Sequence, residues 1–289
     1  MRKDIWPGQP AQLSEQEQRE NDIVKLARFI ERTATMYGNE GIPVRSDGRI
    51  DMQAYANLYF DTRNDAEKTR EWEKEWFGDI SDAQKVEKRR QMEGEQLEML
   101  SYAIFIKNLG DEFVVVRSSP HDDRVNKVDT LILDRKTGTL VCAFDEVSAI
   151  NGIDYDKKRS AVYGRNLNGG GASLKYGIGA DNSDGKQSVI ISKASNIPVF
   201  YIALDSENIK NGMKEFLPDM GNRSEFEKKL FSYFVSSIIA QIEGLELNES
   251  RLNKYPELKN KLVAFKHIME PLKANVKKSQ AVKTRSKPR

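Results

Sequence analysis

The sequence predicts an α/β (α+β) fold: a mixed β-sheet of about four to five strands flanked by helices, with a helical N-terminal extension. Three observations carry that expectation. Helical periodicity runs through the first 110 residues. Between residues 112 and 147 it gives way to short β-branched and apolar runs separated by one tight polar turn. Beyond 155, helix-like and strand-like stretches alternate, and the run at 198–204 (PVFYIAL) is apolar throughout, as in a strand covered on both faces.

Composition narrows the function classes. At 289 residues the chain has length for one large domain or two small ones. Net charge is only +2, so the distribution of charge is more telling than its sum. Lys277, Lys278, Lys283, Arg285, Lys287 and Arg289 crowd the last segment without an acid among them. Such a tail suits a polyanion, either nucleic acid or an acidic membrane surface, and equally serves as a solubilising tail. One cysteine, Cys142, excludes an internal disulfide framework and a cysteine zinc site, and two histidines exclude a multi-histidine centre. The opening MRKDIWPGQP lacks the apolar run of a signal peptide, and no apolar stretch reaches the ~18 residues of a membrane span. The expectation is a soluble cytoplasmic protein with no membrane association.

Taken in order, residues 1–13 read as an irregular lead-in broken by Pro7, Gly8 and Pro10. Ser14 and Glu17 have capping-box spacing, and Ile23, Leu26, Ala27 and Ile30 recur at helical intervals up to a stop near Gly38 and Gly41. Residues 51–77 predict a second helix rich in aromatics: Tyr55, Tyr59, Phe60, Trp72, Trp76 and Phe77. Aromatics beside bases can stack on nucleobases, but these spacings favour helix packing. A third helix is expected over 81–109, with Leu97, Leu100 and Ile104 as its buried stripe and a Gly110 stop. Glu93 lies one turn upstream on that stripe, facing whatever the helix packs on or lying in its solvated first part.

Residues 112–117 (EFVVVR) form a short strand, followed by the central hairpin. Its first arm, 128–133, carries Asp129; the turn is Asp134-Arg135-Lys136-Thr137-Gly138; the second arm, 139–147, delivers Asp145 and Glu146 at its far end. Antiparallel pairing brings Asp129 level with the neighbourhood of Glu146. Carboxylates gathered at the edge of an apolar sheet repel each other unless a positive charge lies between them, and a hard divalent cation is the simplest such charge. The alternative is that Asp145 and Glu146 mark the wet end of the strand. A helix follows at 155–163, then a Gly-rich segment without phosphate-loop spacing, read as a mobile loop or a Gly-edged hairpin with 173–178 as one arm. Strands are expected at 187–191 and 198–204, and helices at 226–242 and 258–272.

This order of elements, with acids at these positions, resembles the PD-(D/E)xK nuclease superfamily, in which an Asp opens the second core strand and a D/E-x-K triplet closes the third. Residues 128–132 (VDTLI) match the Asp strand and residues 141–148 (VCAFDEVS) the third strand, with Glu146 at the acidic position. The lysine position holds Ser148 instead. The resemblance covers about half of the chain and implies a restriction-endonuclease-like core at 81–245. Residues 1–80 would be a helical N-terminal region, 246–275 a C-terminal helix and 276–289 a basic disordered tail. It implies a Mg²⁺- or Mn²⁺-dependent nuclease acting on DNA, or less favourably RNA. Asp129 and Glu146, backed by Asp145, would bind metal, and Glu93 would be the helix carboxylate. Lys158 or Lys157 would stand in for the missing lysine, which some members carry on the following helix, with Lys175 a weaker substitute. Lys175, Lys277, Lys278, Lys283 and Arg285 would meet nucleic acid. Ser148 leaves open a second reading, a catalytically inactive nuclease-fold protein that binds nucleic acid or a protein partner. A third is a helical interaction protein, which would take its partner through the charged N-terminal helices.

Overall fold

The computed structural model describes residues 13–181 and 188–285, with residues 274–285 described by backbone alone. The expected lead-in at 1–13 falls almost wholly outside these residues, as do Lys287 and Arg289. The helices are α1 (Glu15–Asn39), α2 (Thr62–Phe77), α3 (Asp82–Arg90), α4 (Glu93–Leu109), α5 (Pro120–Asn126), α6 (Gly152–Gly169), α7 (Ser206–Glu215), α8 (Glu225–Glu246), α9 (Glu249–Leu252) and α10 (Pro256–Arg285). The strands are β1 (Phe113–Arg117), β2 (Thr130–Asp134), β3 (Thr139–Val147), β4 (Ala172–Asp181), β5 (Ser188–Ile197) and β6 (Val199–Ala203). The class is α+β, as the sequence predicts.

Four strands form a mixed sheet in the order β1-β2-β3-β6, antiparallel except for the parallel β3–β6 pair. The Gly-rich segment folds as the separate β4–β5 hairpin. Alternation along the strands divides the interior into two cores. Val115, Ile132, Phe144, Phe200 and Ile202 face α1, α4, α7, α8 and α10. Val114, Val116, Leu131, Leu133, Ala143 and Val199 face α6, the β4–β5 hairpin and the 42–55 segment. The pairing slips between Ile132 and Leu133, where Val141 is the extra residue opposite them. Val141 therefore joins the same core as Cys142 and Phe144, a local break in the period of two. Phe105 of α4 stacks on Phe144 with ring centroids 4.7 Å apart, and these two buried rings centre the helical layer.

The N-terminal helix belongs to this packing. Ile23, Leu26, Phe29 and Ile30 of α1 lie in the core cluster that holds α4 and α8. Two expected helices are broken in the structure. Residues 51–77 contain a 3-10 turn, Met52–Tyr55, and then α2. The break comes because Tyr55 turns into the core, where its hydroxyl donates to the Gly177 carbonyl at 2.7 Å. Residues 81–109 divide at Gln91–Met92 into α3, with no buried residue, and α4, buried almost all round. Three helices, at 120–126, 206–215 and 249–252, have no counterpart among the expected elements. The final helix continues to Arg285, so residues 276–285 extend α10 where an irregular tail was expected; no Gly or Pro interrupts 274–285. Among the described residues, no helix is long and apolar enough to cross a membrane.

The turn that sets the β2–β3 register leaves no room for a side chain at its glycine. Gly138 has φ +67°, and a Cβ there would meet the Ala180 carbonyl oxygen at 2.2 Å. Gly138→Ala is therefore expected to destabilise the fold by about 1–3 kcal/mol, read as a lower denaturant midpoint at unchanged slope.

Candidate functional site

The site begins with two arginines. Arg117 ends β1, and the segment carrying Arg49 runs alongside: Arg117 N–H donates to the Gly48 carbonyl and Ile50 N–H to the Arg117 carbonyl, both at 3.0 Å. Both guanidinium groups are buried under α4. Arg117 pairs with Glu95 Oε1 at 2.7 Å and Glu98 Oε2 at 2.6 Å. Arg49 pairs with Glu98 at 2.9 Å, Glu95 at 3.2 Å and Asp123 of α5 at 2.8 Å. Helical spacing puts Glu95 and Glu98 on one face of α4, and the next position on that face, Ser101, reaches β3.

Asp129, just before β2, lies beside this group. One carboxylate oxygen each of Glu98, Asp123 and Asp129 falls within 4.8 Å of the others. Asp129 N–H donates to the Phe144 carbonyl at 2.8 Å, and its Oδ2 accepts the Glu146 N–H at 2.7 Å. The expected convergence of Asp129 and Glu146 is thus present, clamped through the backbone. Glu146 points toward α4: its Oε1 accepts from Ser101 Oγ at 2.9 Å and Thr130 Oγ1 at 3.0 Å. Its Oε2 is buried and meets no amide, hydroxyl or cationic donor among the described residues. Asp145, the adjacent residue, projects to the opposite face and pairs there with Lys158 of α6.

Electrostatics follows from burial and crowding. Burial raises Asp129 well above the usual carboxylate range, and Glu98, Asp123, Glu146 and Asp145 add to the shift. Burial also raises Glu146, against its hydrogen bonding with Asp129, Ser101 and Thr130. Burial pushes Glu98 up to about 7, with Glu95 and Asp123 adding to it and Arg49 and Arg117 opposing. Glu95 goes the other way: against burial, Arg117 and Arg49 hold it down to about 2. Asp145 is raised by burial, opposed by Lys158. Burial opposes the charge on Lys158, but Asp145, Asp129 and Glu146 outweigh it and hold its ammonium above the ordinary value.

Of the residues singled out from sequence, Asp129 and Glu146 meet on the α4 side of the sheet, whereas Asp145, expected beside them as a metal ligand, pairs with Lys158 on the α6 side. Lys157 is exposed on α6, one position from the inward-facing lysine. Glu93 is only half-buried at the start of α4, and the carboxylates that reach the sheet are Glu95 and Glu98. Leu97, Leu100 and Ile104 are fully buried, as expected, but α4 is buried almost all round, so that stripe does not single out the sheet-facing side. Lys175 is held by Asp61 and Asp65 of the α2 region. Lys277, Lys278, Lys283 and Arg285 lie on α10, in the stretch described by backbone. Arg49, Glu95, Glu98, Ser101, Arg117 and Asp123 are site residues not expected from the sequence. Ser119 followed by Pro120 and Asp122 is a signal for α5 and hence for Asp123: Asp122 N–H donates to Ser119 Oγ at 3.0 Å, with Pro120 in the first turn. Asp122 in turn accepts the Lys175 and Tyr176 amides of β4 at 2.9 and 3.0 Å.

Comparison with protein families, curated proteins and solved structures finds no match for this chain.

Glu98 gives the site a readable pH signature. The folded protein holds its proton up to about pH 7, whereas an unfolded chain releases it near 4.5. Stability from this group is full below about pH 4.5 and is lost as pH rises through 7. Glu95 acts with opposite sign in a lower window, between its ordinary 4.5 and about 2. Thermal stability is therefore expected to fall between about pH 5 and 8, by on the order of 1–3 kcal/mol from Glu98. Glu98→Gln should flatten that slope, as differential scanning calorimetry would record.

Proposed function

We propose that this protein is a metal-dependent nuclease that hydrolyses phosphodiester bonds in nucleic acid, DNA in the first instance. The observation that carries the reading is a charge imbalance. Five clustered carboxylates, Glu95, Glu98, Asp123, Asp129 and Glu146, face two guanidiniums, and one buried Glu146 oxygen has no donor. A divalent cation would favour the ionised forms of Glu98, Asp129 and Glu146, which burial and crowding otherwise disfavour. Ligands on Mg²⁺ at about 2.0–2.1 Å stand about 3 Å apart when adjacent, so the donor oxygens, within 4.8 Å of one another, would draw in by up to about 2 Å on binding.

Glu98, Asp123 and Asp129 would hold the ion, with Glu146 beside them. Bound there, Mg²⁺ or Mn²⁺ supplies Lewis-acid polarisation of a phosphate oxygen and lowers the pKa of a water. The protein's own residues set the rest. Thr130 and Ser101 fix the Glu146 carboxylate, and the Glu146 amide fixes Asp129. Asp145 aims the Lys158 ammonium and keeps it charged. A lysine held cationic is a poor proton acceptor, so the role that fits Lys158 is to neutralise charge growing on the phosphate and orient the attacking water. This offsets the loss of a lysine at Ser148.

The test is cleavage of plasmid and single-stranded DNA in Mg²⁺ or Mn²⁺. The wild type should cleave, Asp129→Ala/Glu146→Ala should lose at least about 100-fold, and Lys158→Met should lose about 10²–10⁴-fold with substrate affinity retained. Undiminished cleavage by the double variant, with the fold verified by circular dichroism, would sink the assignment. The specific observation for an inactive nucleic-acid-binding protein is that Arg49 and Arg117 already neutralise part of the cluster. That reading expects salt-dependent DNA retention with no product at any metal concentration.

A further inference from the structure

Of the aromatics expected to pack as one helix, Tyr55 and Tyr59 reach the core, but those of α2 do not. The buried residues of α2 are Thr62 and Asp65, both polar. Trp76 is 63% exposed, and Trp72 and Phe77 are half-buried. What holds α2 in place is polar: Lys175 on Asp61 and Asp65, the Tyr176 hydroxyl donating to Asp65 at 2.7 Å, and Arg89 of α3 donating to Glu73 at 2.6 Å. The indoles are thus fixed in position without being buried.

They form one wall of a cleft of about 280 Å³. Arg124 of α5 lies over both rings, 5.6 Å from the centroid of Trp72 and 4.8 Å from that of Trp76. The lining continues to Arg49, Glu98 and Asp123, so two of the three clustered carboxylates open into the same space. One end is a flat aromatic surface with a guanidinium, and the other is the acidic centre. That volume is of the size of one unstacked base with its sugar.

We infer that this cleft binds an unpaired nucleotide of the substrate strand, its base stacked on Trp76 and Trp72 beside Arg124 and its phosphate directed to the Glu98–Asp123–Asp129 centre. The substrate class is then single-stranded DNA or a duplex with a frayed or flapped end. The inference rests on the nuclease reading for the direction of the phosphate, while stacking is measurable without cleavage. Base–aromatic stacking is sequence-tolerant, because every base has a π-face, and the indole with Arg124 supplies both the surface and the cation.

The experiment is fluorescence anisotropy at fixed salt on the full chain with Ca²⁺, using a labelled oligothymidylate and a labelled blunt hairpin, with Trp76→Ala and Trp76→Phe as variants. Trp76 lies on the surface, so its replacement leaves the core untouched. The oligothymidylate should bind more tightly than the hairpin. Trp76→Ala should weaken oligothymidylate binding about tenfold and leave the hairpin unchanged, and Trp76→Phe should restore most of the loss. Equal affinity of Trp76→Ala and wild type for oligothymidylate, or hairpin binding as tight as oligothymidylate binding, would overturn the inference. Trp76-dependent binding in a protein that cleaves nothing would sustain the cleft and remove the nuclease assignment. Cleavage indifferent to Trp76→Ala would do the reverse.

Discussion

Two buried guanidinium groups organise the region where the sheet meets its helices. Arg117 belongs to an edge strand and Arg49 to the segment laid along that edge, and between them they engage α4 and α5 through three carboxylates. Taking such groups out of water costs several kcal/mol per ion, and the cost is recovered only when each charge keeps close partners. Removing either arginine would leave the buried Glu95 short of a counter-charge and leave Glu98 with less of one. The network therefore contributes more to register than to net stability. It fixes where α4 crosses the sheet, and so where Glu98 and Ser101 stand relative to Asp129 and Glu146.

A second buried pair operates at the far end of the same helix. Lys107 of α4 meets Glu227, the capping-box glutamate of α8, and donates to the Leu217 carbonyl at 2.6 Å. Burial disfavours the charge on Lys107 and lowers its pKa, with Glu227 opposing the shift. With ionic anchors near both ends and Phe105 stacked on Phe144 between them, α4 has little freedom to rotate or slide. The acids it presents are preorganised by the core.

The sequence was legible where a single period dominated. The edge strand at 113–117, the central hairpin and α8 all lie where alternation or helical spacing placed them. The pairing of Asp129 with the Glu146 region followed from turn length alone. The site was legible on its strand side and obscure on its helix side. Glu98 could not be told from Glu93, because α4 is enclosed on nearly every face and apolar spacing no longer indicates direction. Asp123 was hidden because a seven-residue helix opened by Ser-Pro reads as a turn. Arg49 was hidden because no local pattern marks a loop arginine that will be covered by a distant helix. The breaks at residues 56–61 and 91–92 are likewise tertiary. Tyr55 closes the 3-10 turn and reaches Gly177, and α4 departs from α3 to enter the core.

Asp122 adds a mechanical dimension. Its carboxylate caps α5 through Ser119 and also accepts two successive amides of β4, so the short helix and the long hairpin hang on one side chain. The next residue is Asp123. A tug on the hairpin is therefore delivered, across one peptide bond, to an acid of the central cluster. The hairpin works as a strut for that acid, and the two are built to loosen or tighten together.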